Sequence, residues 1–157
     1  MAAPISVQLY SVREQAAVDY EETIRKIAAM GYVGVETAGF PGTTPEKAAA
    51  LFKELNLIVS SAHTGIPLGE KKAEILETVQ IIGSPYVITG VGPDNFKTID
   101  LVKESCEKFN QANLICVENG LKFAIHNHWW EYLPLGDGYV IDYMLEFLDE
   151  SILFEVD

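Results

Sequence analysis

The chain has 157 residues, 48% of them hydrophobic, and a formal net charge of −12. This length allows a substantial buried core, and we expect a single domain over residues 1–157. A field this negative repels phosphate backbones, and no basic patch offsets it, because Lys71 and Lys72 stand between Glu70 and Glu74. The composition therefore predicts no nucleic-acid partner.

Membrane insertion and secretion are not expected either. The amino terminus, MAAPISVQLY, has neither a basic region nor a long apolar segment, and no apolar run approaches the ~18 residues needed to cross a bilayer. Cys106 and Cys116 fall in one predicted helix, about 15 Å apart along its axis, which is beyond disulfide reach. We expect a cytoplasmic protein with two core or half-buried thiols and no membrane partner.

Short strand-like runs alternate with helical periodicity along the whole chain. The runs are rich in Val, Ile, Leu and Phe and begin near Ile5, Val33, Leu57, Tyr86, Leu121 and Ile152. The helices predicted between them run from Asp19 to Gly31, from Thr44 to about Leu55, from about Glu70 to Ile82, from about Asn95 to Asn119 and from about Tyr139 to Leu148.

Capping signals place the starts of two of these helices. Asp19 is followed three residues later by Glu22, as in a capping box. Thr44 with Pro45 behind it is typical of an N-cap and first helical position. Gly31 closes the first helix. In the last helix, the apolar positions expected to face the core are Ile141, Met144, Leu145 and Leu148.

Polar residues share one face of the first and the sixth predicted strands. They are Ser6, Gln8 and Tyr10 in the first and Glu155 and Asp157 in the sixth. A flat sheet covered by helices would be apolar on both faces, whereas a barrel can line its upper interior with polar side chains. No glycine-rich phosphate fingerprint follows the first strand. The pattern favours an α/β fold of the (β/α)8 TIM-barrel type over a doubly wound sheet.

All three histidines, His63, His126 and His128, stand at the end of an apolar run that is followed by a loop. In parallel α/β proteins, ligands bind at that end of the strands. Strand alternation puts His126 and His128 on one face, and Glu131 follows them. Imidazole and carboxylate groups both ligate divalent ions, so this segment predicts part of a metal site. The alternative is a set of hydrogen-bonded polar residues in a strand-end loop.

Five segments carry a resemblance to a known family. They are VQLYSVRE, GYVGVETAGF, SSAH, FAIHNHWWEY and LFEVD. Together they resemble the sugar phosphate isomerase/epimerase family, the xylose isomerase-like barrels that also include inosose dehydratases and endonuclease IV. The resemblance implies a TIM barrel with a divalent ion, Mn, Mg, Co or Zn, at the carboxyl ends of the strands, where it coordinates adjacent oxygens of a sugar or polyol.

The resemblance also implies roles for the acidic and histidine residues near the end of the chain. His126 and Asp157 match positions of metal ligands, although many relatives have a glutamate where this chain has His126. Glu131 and Glu155 are the carboxylates available as catalytic base or as partner of a ligand. For Glu155, a structural role in the barrel interior is an equal alternative.

Further positions are expected to bind the substrate. Gln8, Glu36 and His63 match pocket-lining positions of the family, while His128 and Trp129 lie beside the expected site. Glu36 is suited to be a ligand, a substrate acceptor or a buried partner of a neighbouring hydroxyl. Trp129 and the adjacent Trp130 are suited to stack on a sugar, but at least one is expected to pack in the loop.

The chain departs from the family in its length. TIM barrels have eight strands and about 250 residues, whereas this sequence stops inside its sixth strand. The seventh-strand histidine and eighth-strand glutamate of the family have no counterpart. We therefore expect an incomplete barrel in which the ion is weakly bound or absent and activity is low.

The predicted function is a metal-dependent isomerase or epimerase that acts on a sugar, sugar phosphate or related polyol by abstracting a proton next to a carbonyl. The alternatives are an inosose dehydratase-like lyase and a non-catalytic barrel fragment. An endonuclease of the same superfamily is disfavoured by the charge. Because six strands cannot close a barrel of eight, the first strand, Ile5 to Tyr10, and the sixth, Ile152 to Val156, are expected to be open edges. We expect these edges to be covered in a homodimer or higher oligomer.

Overall fold

The structure is a computed structural model that describes residues 4–157. Its strands are β1 (Ser6–Gln8), β2 (Gly34–Thr37), β3 (Ile58–His63), β4 (Tyr86–Thr89), β5 (Lys122–His126), β6 (Pro134–Leu135), β7 (Gly138–Tyr139) and β8 (Leu153–Glu155). Its helices are α1 (Arg13–Val18), α2 (Tyr20–Ala29), α3 (Pro45–Glu54), α4 (Lys72–Ile82), α5 (Ile99–Glu118) and α6 (Val140–Phe147).

Six of these strands form one sheet in the order β1-β2-β3-β4-β5-β8, and β6 and β7 form a separate antiparallel hairpin. Strands that are neighbours in the sheet therefore follow one another along the chain, with helices between them. A doubly wound sheet would reverse its strand order at a switch point. The sequential order is that of a (β/α)8 barrel, so the doubly wound alternative is wrong.

The chain divides into two compact units. The first comprises the chain up to Thr64 together with Glu74–Val87, and the second comprises Gly65–Ala73 and Ile88–Asp157.

The first unit has an apolar core built from α1, α2 and α3 and the strands they cover. The buried core residues are Leu9, Ala16, Tyr20, Ile24, Ile27, Val35, Ala48, Leu51, Phe52 and Leu57. The predicted caps are present: Asp19 accepts a hydrogen bond from the Glu22 backbone N–H at 3.0 Å, and Thr44 accepts one from the Lys47 backbone N–H at 3.4 Å. Each cap satisfies a helix-terminal donor, which contributes roughly 1 kcal/mol.

Gly34, at the start of β2, is required by close packing. A Cβ atom at this position would lie 2.5 Å from Ile58 Cγ1 and 2.7 Å from Ser6 Oγ. Only a residue without a side chain therefore fits between β1 and β3 at this level of the sheet. These close contacts give a physical reason for the second glycine of the GYVGVE segment, Gly34.

The first strand is shorter than its sequence predicts. β1 ends at Gln8, and Leu9–Val12 forms a 3-10 turn in which Leu9 is buried. Tyr10 therefore does not share a strand face with Gln8. Its ring is exposed, and the Arg13 guanidinium carbon lies 4.4 Å from the ring centroid. The burial of Leu9 outweighs the strand propensity of the following residues.

The second unit is organised around α5, which buries Val102, Cys106 and Phe109 completely. The ring of Phe109 packs on Phe123 of β5, with 6.3 Å between centroids. α5 begins four residues later than expected, because residues 93–96 form a separate 3-10 turn before the helix. Its N-cap is Thr98, which accepts a hydrogen bond from the Leu101 backbone N–H at 3.2 Å.

The last helix buries a narrower face than predicted. Met144 is fully buried, as expected, but Leu145 is 62% exposed and Val140 is buried in its place. α6 is only eight residues long and packs mainly on α5. The short helix α1 and the β6-β7 hairpin have no counterpart in the predicted elements. No helix of residues 4–157 has the length and apolar character needed to span a membrane.

Candidate active-site residue groups

In the first unit, polar side chains from three adjacent strands converge on Glu36. We call Gln8, Glu36, Ser61 and His63 the Glu36 group. Gln8, Glu36 and Ser61 are register partners across β1, β2 and β3, so their side chains meet at one level of the sheet. A register shift between residues 35 and 36 brings Ser61, rather than Ser60, opposite Glu36.

The Glu36 carboxylate is 5% exposed and accepts two short hydrogen bonds. Gln8 Nε2 donates to Oε1 at 2.5 Å, and Ser61 Oγ donates to Oε2 at 2.5 Å. His63 Nδ1 lies 3.8 Å from Oε1. A buried carboxylate is costly unless donors satisfy it, and these neighbours supply that compensation.

The sequence placed Gln8, Glu36 and His63 in the site but missed Ser61. A signal for it was present, since Ser61 stands two residues before His63 on the same strand and therefore on the same face. The sequence left three roles open for Glu36: a ligand, a substrate acceptor or a buried partner of a neighbouring hydroxyl. The structure shows the third role, with Ser61 as the residue that supplies the hydroxyl.

A small cavity adjoins this group within the first unit. It has a volume of about 200 Å³, and its lining includes Thr37, Phe40, His63, Glu74 and Thr78. The lining thus combines hydroxyl, imidazole and carboxylate groups with one aromatic ring, that of Phe40. Such a lining offers hydrogen bonds together with an apolar surface.

In the second unit, His126 lies between two carboxylates. It is the register partner of Glu155 across β5 and β8, and its Nδ1 is 2.7 Å from Glu155 Oε2. On the other side of the ring, Nε2 is 3.7 Å from Asp157 Oδ2. The side chain of His126 is 10% exposed, that of Glu155 29% and that of Asp157 70%. We call these three residues the His126 group.

Asn127 ties this group together and was missed by the sequence analysis. Its backbone N–H donates to the Glu155 carbonyl at 3.3 Å, and its side-chain Oδ1 accepts from the Asp157 backbone N–H at 3.4 Å. It is 2% exposed, and within residues 4–157 its Nδ2 has no hydrogen-bond partner. Its place between the two histidines of the HNH segment was the only signal for it.

The loop after β5 holds His128 in a defined position. The imidazole stacks on Trp130, with 3.9 Å between centroids and 14° between planes, and meets the edge of His126 at 4.8 Å. Trp130 is itself fixed, because its Nε1 donates to the Val91 carbonyl at 3.2 Å. His128 Nδ1 lies 3.8 Å from Glu131 Oε1.

Glu131 lies beneath this loop and not on its surface. Only 1% of the residue is exposed, and its Oε2 accepts a hydrogen bond from the His128 backbone N–H at 2.8 Å. Burial raises the pKa of the Glu131 carboxyl, and the hydrogen bond from His128 opposes that rise. In this conformation the buried Glu131 can act on a ligand only through His128, whose backbone and ring it faces.

The two tryptophans differ in environment, as the sequence analysis anticipated. Trp129 is 69% exposed and stands perpendicular to Trp130 at 5.6 Å, whereas Trp130 packs within the loop. Trp129 is therefore the one with a face open to a ligand.

The cysteines are core residues, as predicted. Cys106 and Cys116 are both fully buried and form no disulfide. Burial raises the pKa of Cys106 to about 12 and that of Cys116 to about 11, so neither provides a thiolate near neutral pH.

Comparisons with known proteins identify the fold. The chain matches no protein-family profile, and no curated protein matches it. Among solved structures it is similar to two sugar phosphate isomerase/epimerases from Parabacteroides distasonis. One has 24% identity and a TM-score of 0.79 over 98% of this chain and 68% of that one, and the other has 20% identity and a TM-score of 0.77 over 99% and 66%.

A third similar structure is a xylose isomerase-like TIM barrel protein from Mycobacterium smegmatis in complex with magnesium. It shares 11% identity, with a TM-score of 0.62 over 97% of this chain and 63% of that one. The chain has the fold of these TIM-barrel proteins. The expected fold class, an incomplete (β/α)8 barrel, is thereby confirmed. The chain spans about two thirds of the length of these three proteins.

Proposed function

We propose that this chain belongs to a metal-dependent isomerase or epimerase that acts on a sugar, sugar phosphate or related polyol. The single observation that carries the proposal is the contact between His126 and Glu155, which directs the other ring nitrogen of His126 towards Asp157. A histidine that ligates a metal commonly gives its second nitrogen to a carboxylate in this way.

The donor atoms of the His126 group suit a divalent ion. Nε2 of His126 and Oδ2 of Asp157 are 3.7 Å apart, a separation that two atoms can have when each is about 2.1 Å from one ion. Imidazole with carboxylate suits Mn, Co and Zn, and carboxylate also suits Mg. The magnesium in the Mycobacterium smegmatis structure supports a divalent ion in this fold. We propose His126 and Asp157 as ligands.

When bound, such an ion polarises a carbonyl and its neighbouring hydroxyl, which eases removal of the proton on the carbon between them. The chain's own residues then hold and move protons. Glu155 is partly exposed and is the proposed base, in addition to its contact with His126. Glu131, which is buried, contributes through His128.

The remaining predicted residues are proposed to bind the sugar. Glu36, held by Gln8 and Ser61, and the imidazole of His63 offer acceptors and donors for hydroxyl groups. The exposed ring of Trp129 offers a face on which the apolar side of a sugar ring can stack.

Metal binding is tested by calorimetric titration of the protein with Mn²⁺. We expect weak but measurable binding that His126→Ala and Asp157→Ala each abolish. Glu146→Gln, which changes an exposed carboxylate on α6 of the same unit, is the matched control and should leave binding unchanged. Binding that survives both ligand substitutions would show that the ligands are wrongly assigned.

The reaction class is tested by incubating the protein and Mn²⁺ with a panel of ketoses, aldoses and inososes in D₂O. Proton abstraction next to a carbonyl incorporates deuterium at that carbon, which proton NMR detects. Deuterium without loss of water supports an isomerase or epimerase. Loss of water indicates the dehydratase alternative, and the absence of exchange for every substrate indicates a non-catalytic role for the chain.

A further inference from the structure

Asp157 lies beyond the end of its strand, where little packing fixes its position. β8 ends at Glu155, and the two residues that follow are exposed, Val156 at 79% and the side chain of Asp157 at 70%. Residues in such a place are poorly ordered unless other groups tie them down. A carboxylate that stays 3.7 Å from His126 Nε2 therefore needs an anchor.

Asn127 supplies that anchor from the end of the neighbouring strand. The register pairing of β5 with β8 ends at His126 and Glu155, and Asn127 continues it because its backbone N–H donates to the Glu155 carbonyl at 3.3 Å. At the next step of a parallel ladder, the Asp157 N–H would donate to a main-chain carbonyl. Here it donates to the side-chain Oδ1 of Asn127 at 3.4 Å. Asn127 thus holds the chain on both sides of residue 156.

The stability of the fold alone does not account for an amide at this position. Asn127 is 2% exposed, and within residues 4–157 its buried Nδ2 meets no acceptor. A buried donor without an acceptor costs folding free energy, whereas a leucine has the same branching of heavy atoms and no such donor. The part of the amide that has a partner is Oδ1, and that partner is the main chain of Asp157.

We propose that Asn127 is a positioning residue that holds the Asp157 carboxylate beside His126. It acts through the Asp157 N–H and leaves the exposed carboxylate able to contact a ligand. Glu155 orients the imidazole and Asn127 orients the carboxylate, so both donors are in place before a ligand arrives. The consequence for metal binding rests on the proposed function, whereas the position of Asp157 follows from contacts within the second unit.

The order of the Asp157 N–H is measured by ¹⁵N relaxation of the labelled 157-residue chain without metal. We expect an order parameter above about 0.6 in the unmodified protein and below that value in Asn127→Leu, which lacks the acceptor. Asn127→Asp retains an acceptor oxygen and should keep the Asp157 N–H ordered. Asn119→Leu is the matched control, because it removes an exposed amide at the end of α5 that donates to the Ile115 carbonyl, and it should leave residue 157 ordered.

A merely space-filling role of Asn127 predicts the opposite pattern. Leucine would then preserve the order of residue 157, and aspartate, which brings a charge to a buried position, would not. The proposal is also overturned if the Asp157 N–H has an order parameter below about 0.6 in the unmodified protein. That measurement does not depend on any variant folding.

Calorimetric titration with Mn²⁺ measures the consequence for the proposed ligand pair. We expect the affinity to fall about 10- to 100-fold in Asn127→Leu, as for other groups that orient a metal ligand, and to be unchanged in Asn119→Leu. Loss of order at residue 157 with unchanged Mn²⁺ affinity would overturn the positioning role. Absence of Mn²⁺ binding to the unmodified chain, with Asp157 ordered as expected, would contradict the proposed function and leave Asn127 as the anchor of Asp157.

Discussion

His126 and Glu155 are register partners on adjacent strands and are joined by a contact of 2.7 Å between Nδ1 and Oε2. Because the two residues are fixed by backbone pairing, the orientation of the imidazole is set by the sheet and not by a mobile loop. The carboxylate holds the ring so that Nε2 points towards Asp157. Residues 126, 155 and 157 thus form a preorganised group.

This contact predicts the effect of Glu155→Gln on metal binding. The amide removes the negative charge that orients the imidazole and fixes its tautomer, so we expect Mn²⁺ affinity to fall about 10- to 100-fold. Calorimetry measures the change. Unaltered affinity would contradict a role of Glu155 in orienting a ligand.

The Glu36 group predicts a loss of stability on truncation. In Glu36→Ala, the half-buried donor of Gln8 and the buried donor of Ser61 lose their acceptor, which should lower the free energy of unfolding by about 2–3 kcal/mol in urea denaturation. Ser61→Ala removes a single donor and should cost about 1 kcal/mol. If the two variants were equally stable, Glu36 would not be the centre of this network.

The buried Glu131 predicts a pH dependence. Burial raises its pKa in the folded protein above the ordinary value of 4.5, so the folded state binds the proton more tightly than the unfolded state. Its contribution to stability is therefore greatest at low pH and is lost as the pH rises through the folded pKa.

Glu131→Gln removes this titration. The free energy of unfolding of the variant, relative to the unmodified protein, should increase as the pH is raised from about 4.5 to about 8, whatever its absolute value. Urea unfolding across that range measures the trend. Glu146→Gln, at an exposed position, should show a flat difference, and a flat difference for Glu131→Gln would contradict the raised pKa.

We propose that the 157-residue chain associates through the outer strands of its sheet, β1 and β8. Leu153 on β8 and Val156 just after it are exposed at 42% and 79%, and Ile5 beside β1 at 64%. Exposed strand edges with apolar side chains favour pairing with another chain. Light scattering at micromolar concentration should therefore show a homodimer or higher oligomer.

Leu153→Lys tests the location of this interface, because a charge on an edge strand opposes pairing. We expect it to shift the protein towards monomer, whereas Val18→Lys, at an exposed position on α1, should leave association unchanged. A stable monomer of the unmodified chain would contradict the proposal.

The sequence by itself determined the features that depend on near neighbours. The caps at Asp19 and Thr44 act within three residues, and the alternation of strands and helices follows from local periodicity, so both were predictable. The HNH segment and Glu131 were recognisable as well, because these residues stand close together in the sequence. These signals were sufficient to assign the barrel fold class and to nominate most of the candidate site.

Only the tertiary structure decided which residues touch. The partners of Glu36 lie 25 and 28 positions away, and the nearer of them, Ser61, depends on a register shift. Glu155 meets His126 across 29 positions. The burial of Glu131 was equally hidden, since a loop position after a strand suggests exposure. Contacts of this kind depend on strand register and packing, which no short window of sequence contains.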